Sequence, residues 1–194
     1  MANFIDEFMK NYGPEVTKQM SSTFNVDQNK VQKLLPQLVP LVLGGLKKQK
    51  DEQGGDARVD HILNKYGDKS VLDNIQDLIS NKASDTTVDA RLGGLLGDSG
   101  ITAANVLGKQ LNLDPSIIKK MIPALAPIIL GSLTRKRDTS NSGIGGIGSL
   151  LDANGDGSIL DDVAGFILKG GASTQTRSKS VLGSILGGMF GTSK

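Results

Sequence analysis

The chain is written twice. Phe24 to Leu46 reads FNVDQNKVQKLLPQLVPLVLGGL, and 87 positions later Leu111 to Leu133 reads LNLDPSIIKKMIPALAPIILGSL. Asn, Asp, Lys, two Pro, Gly and three Leu recur in register, and most other positions exchange one aliphatic side chain for another. A repeat of this length is the mark of supersecondary units that bury their apolar faces against each other. The same shift lays Phe4 to Gly13 (FIDEFMKNYG) on Arg91 to Gly100 (RLGGLLGDSG) by apolar spacing, and RLGGLLG returns as VLGSILG at Val181 to Gly187. The expected architecture is all-α. Tandem duplicated helical units span 1–87 and 88–174, each with a Pro-kinked central helix. A partial third repeat over 175–194 supplies a C-terminal capping helix, 178–190, which matches helices at 4–12 and 91–97.

Local chemistry sets the helix starts. Asp114 before Pro115 predicts an N-cap with Pro at the first helical position, and Leu113 with Ile118 can close a hydrophobic staple. Asp27, Val26 and Val31 repeat the arrangement in the first unit. Inside the two helices that follow lie Pro36 and Pro40, then Pro123 and Pro127. An interior Pro costs about 3 kcal/mol and kinks the axis, so these helices must be held by burial. Their apolar residues surround the axis, which marks them as central. Each unit then continues to a turn and a further helix, opened by Ser70-x-x-Asp73 or Ser158-x-x-Asp161 at capping-box spacing. Segments 51–57, 138–149 and 170–180 read as loops, rich in Gly, Ser, Thr and charge without periodicity. No run alternates over a strand's length.

Composition narrows the chemistry. There is no Cys and no Trp, and Phe and Tyr number five and two, so the core is aliphatic and thiol chemistry is excluded. The single His, His61, stands in a solvent-facing context and excludes any site that needs two imidazoles. No nucleophile–base pair is readable, and adjacent carboxylates such as Asp161 and Asp162 face different directions on a helix. The expectation is a non-enzymatic protein. A net charge of +2 argues against nucleic acid as a partner. The N-terminal residues MANFIDEFMKNYG lack a secretory pattern, and the apolar runs Leu34 to Leu46 and Met121 to Leu133 fall short of the roughly 20 residues of a spanning helix. A cytoplasmic location is expected.

The LPxLxPxxLGxL helices, the DGSILDD turn and the LGxxLG elements together resemble a bacterial family of unknown function, domain-of-unknown-function family 937, related to YidB. The resemblance covers almost the whole chain. It implies a helical fold and brings no activity with it. Family members carry an Asp-x-Asp-Gly-Ser-x-x-Asp-Asp turn followed by Gly-x-Leu-Gly-His, and here Gly94 and Ser184 stand where that His would be.

Two features carry functional readings. The first is LDANGDGSILDD, Leu151 to Asp162. A calcium loop places oxygens at positions 1, 3 and 5, Gly at 6, a backbone carbonyl at 7 and an acid at 12. Asp152, Asn154, Asp156, Gly157 and Ser158 fill this pattern, whereas position 12 is Val163 and the nearest acids are Asp161 and Asp162. The six candidate metal ligands are therefore Asp152, Asn154, Asp156, Ser158, Asp161 and Asp162. No Lys or Arg lies between Asp138 and Ile167 to answer their charge. In the first unit Asn64, Tyr66 and Lys69 replace Asp152, Asn154 and Gly157. One weak Ca²⁺ site in the second unit and none in the first is the expectation; an acidic helix cap is the alternative. The second feature is a pair of basic clusters ending the proline helices: Lys47, Lys48 and Lys50, and Arg135, Lys136 and Arg137. They complement helix dipoles, or they meet anionic lipid headgroups. A helical structural or interaction module, with an unidentified protein partner or self-association, is the leading reading, and a peripheral binder of anionic membranes the alternative.

Overall fold

A computed structural model describes residues 4–139 of the chain apart from 86 and 88. The described residues form seven α-helices with no strand among them: α1 (Phe4–Asn11), α2 (Gly13–Phe24), α3 (Gln28–Gln53), α4 (Gly55–Tyr66), α5 (Ile75–Ser84), α6 (Asp98–Leu111) and α7 (Pro115–Thr139). The capping helix expected at 178–190 and the loop expected at 170–180 lie outside the described residues, as does the loop expected at 138–149 except for Asp138 and Thr139, which are not loop but the end of α7.

The helix starts follow the caps read from the sequence. The Asp27 carboxylate accepts the backbone N–H groups of Asn29 and Lys30 at 2.9 and 3.4 Å, which satisfies donors that the first turn of α3 cannot use. Asp114 accepts the Ser116 N–H at 2.8 Å, and α7 begins at Pro115. The preceding helices end alike, because Asn25 after α2 and Asn112 after α6 both adopt the left-handed conformation, with φ of 51° and 50°. Asn tolerates that conformation better than other non-glycine residues and so terminates a helix.

All four interior prolines lie inside helices, Pro36 and Pro40 in α3 and Pro123 and Pro127 in α7. Each lacks the N–H that would reach the carbonyl four residues back. The orphaned carbonyls are those of Gln32 and Pro36, and of Lys119 and Pro123. Packing offsets the loss. Leu34, Leu35, Leu38 and Leu46 of α3 and Ile118, Leu125, Ile129 and Leu133 of α7 have no exposed surface. Burial of each such side chain contributes about 1.5–3 kcal/mol. α7 is the one described helix long and apolar enough to cross a membrane, longer than the apolar run alone suggested. Yet 78% of that stretch is buried by the rest of the fold.

One aliphatic cluster runs from Phe4 to Leu133, with Phe4 and Phe8 of α1 inserted at one end. α3 packs against α1, α2, α4 and α6, and α7 against α4, α5 and α6. α4 and α5 thus both rest on α7.

Three expectations are corrected. Residues 91–97 are not a helix like 4–12; they form a 3₁₀ turn, Leu92–Gly94, flanked by turns. Gly93, Gly94 and Gly97 all take positive φ, as does Leu92, and that breaks the right-handed path. Residues 51–57 are not a loop, because α3 continues through Gln53 and α4 starts at Gly55. Asp51 and Glu52 extend α3 by pairing with Lys47 and Lys48 one turn earlier, and only Gly54, at φ 129°, separates the helices. Ser70 does not open a capping box with Asp73. The cap is Asp68, which accepts from Ser70, and Asp73 ends the 3₁₀ helix Lys69–Leu72.

Candidate functional site

Asp152, Asn154, Asp156, Ser158, Asp161 and Asp162 lie outside the described residues. The segment that matches them in sequence, Gly67 to Leu72, is described. It follows α4 and sits on the C-terminal half of α7. The Asp68 carboxylate accepts the Ser70 N–H at 2.9 Å and the Ser70 hydroxyl at 2.8 Å. Those two hydrogen bonds, the backbone one first, hold its carboxyl below the usual carboxylate range. Both oxygens are thereby used to build the turn. Lys69 reaches across to α7 and donates to Asp138 Oδ2 at 2.5 Å, and Arg137 donates to the other oxygen at 3.0 Å. Asp138 titrates below its ordinary value because of Lys69 first and Arg137 second. An ammonium therefore occupies the place in this turn that glycine holds in GDGSILDD.

Most cations of the basic clusters make contacts within the fold. At the end of α7, Arg135 donates to the Tyr12 hydroxyl at 3.2 Å and Lys136 pairs with Glu7 of α1. Arg137 pairs with Asp60 of α4 and donates to Asn64 Oδ1 at 2.9 Å. At the end of α3, Lys47 pairs with Asp51 at 3.0 Å and Lys50 with Asp56 at 3.1 Å. Lys48 stands 4.0 Å from Glu52 with both side chains about half exposed, a weak contact. The cluster on α7 thus joins three elements, whereas that on α3 is answered by its own helix and the next.

His61 is exposed on α4, as its context suggested. A cavity of about 320 Å³ opens where α5 begins, with Glu15, Asp73, Asn74, Gln76 and Asp77 around Leu72 and Ile75. Sequence reasoning missed this grouping, because Glu15 arrives from α2, far away along the chain. Its acids are spread along the rim: among the described residues no three His, Cys, Asp or Glu side chains converge as a metal site.

A family model described as "Bacterial protein of unknown function (DUF937)" matches residues 6–136 and again 134–194. No curated protein and no solved structure matches the chain.

Proposed function

This chain belongs to the bacterial DUF937 family of unknown function, and we propose that it serves as a non-enzymatic helical structural or interaction module stabilised by one calcium ion. The observation that carries the reading is the engagement of Arg135, Lys136 and Arg137. All three cations at the end of α7 are held by Tyr12, Glu7 and Asp60 of the same chain. A patch meant for anionic headgroups keeps its charges turned outward, whereas Lys136 and Arg137 are half-buried in contacts between helices, with Arg135 left exposed beside Tyr12.

The module is read as a tandem duplication with bent central helices. The caps Asp27 and Asp114, the left-handed Asn25 and Asn112, and the proline pairs in α3 and α7 support this, all separated by the same shift. Calcium is assigned to the second unit because of the first. There Lys69 and Asp138 supply a charge pair between the turn and α7, and Gly157 cannot supply the cationic half. A divalent cation bound among Asp152, Asn154, Asp156, Ser158 and the acids at 161 and 162 would balance that charge.

Co-sedimentation with vesicles at low salt separates the module from its membrane alternative. The chain stays in the supernatant with neutral vesicles and with vesicles rich in anionic lipid alike. Salt-sensitive pelleting with the anionic vesicles alone would overturn the assignment.

A further inference from the structure

We draw no further inference here: the strongest candidate, the polar cavity at the start of α5 rimmed by Glu15, Asp73 and Asp77, is an acidic cluster at a helix N-terminus whose buried neighbour Gln19 is already paired with Glu15 and Gln76, so nothing in the structure points to a ligand.

Discussion

Lys69 Nζ and Asp138 Oδ2 lie 2.5 Å apart and join the turn after α4 to the last turn of α7. The partners stand 69 residues apart in sequence, so the contact depends on the seating of the turn on α7. Both side chains keep substantial exposure, at 49% and 35%. A double-mutant cycle over Lys69→Ala and Asp138→Ala should therefore return a coupling below about 1 kcal/mol that shrinks with salt. Its pH dependence has a defined sign. The folded Asp138 titrates below the ordinary 3.8, so its contribution is present above that value and is lost as pH falls through the lower folded value. A coupling that instead grew between pH 5 and pH 3 would refute the assignment.

The central helices hold their prolines through the aliphatic core. Leu34 has no exposed surface and Ile122 has 1%. Leu34→Ala and Ile122→Ala should each lower stability in denaturant titration by about 2–5 kcal/mol, the transfer loss together with a cavity. Values near zero for both would show that burial does not hold α3 and α7.

Much of the fold was legible because it rests on chemistry between near neighbours. Asp27 and Asp114 cap helices through N–H groups two and three residues on, and that needs no knowledge of the rest of the chain. The turn at 91–97 was illegible because its apolar spacing imitates a helix, while the left-handed glycines that break it become visible only as dihedral angles. Residues 51–57 look loop-like by composition, and the lysines that stabilise them sit one turn earlier in α3. The clamp on α7 lay further out of view. Lys136 meets Glu7 across 129 positions and Arg137 meets Asp60 across 77, pairings set by how helices cross. Of the candidate site, the acidic pattern at 152–162 is read from the sequence alone and lies outside the described residues, whereas the Lys69–Asp138 ion pair in its sequence counterpart emerged only from the packing.

The caps offer a matched comparison between the units. Asp27→Ala removes an acceptor for two N–H groups and Asp114→Ala removes one for the Ser116 N–H. Each should cost about 0.5–2 kcal/mol in thermal or chemical melts, with Asn restoring most of the loss. An Asn variant as damaging as Ala would mean that the carboxylate acts by charge and not as a cap.

Calcium titration followed by calorimetry and by thermal melts against EDTA tests the account's central claim most directly. The full chain should bind one ion weakly and melt at higher temperature as calcium rises, by mass action on the folded state. Asp156→Ala should abolish both the heat and the shift, and Asp68→Ala, in the turn already balanced by Lys69, should leave the heat unchanged. No heat and no shift at millimolar calcium, or equal loss from both variants, would contradict a calcium-stabilised second unit and leave Leu151 to Asp162 as an acidic helix cap.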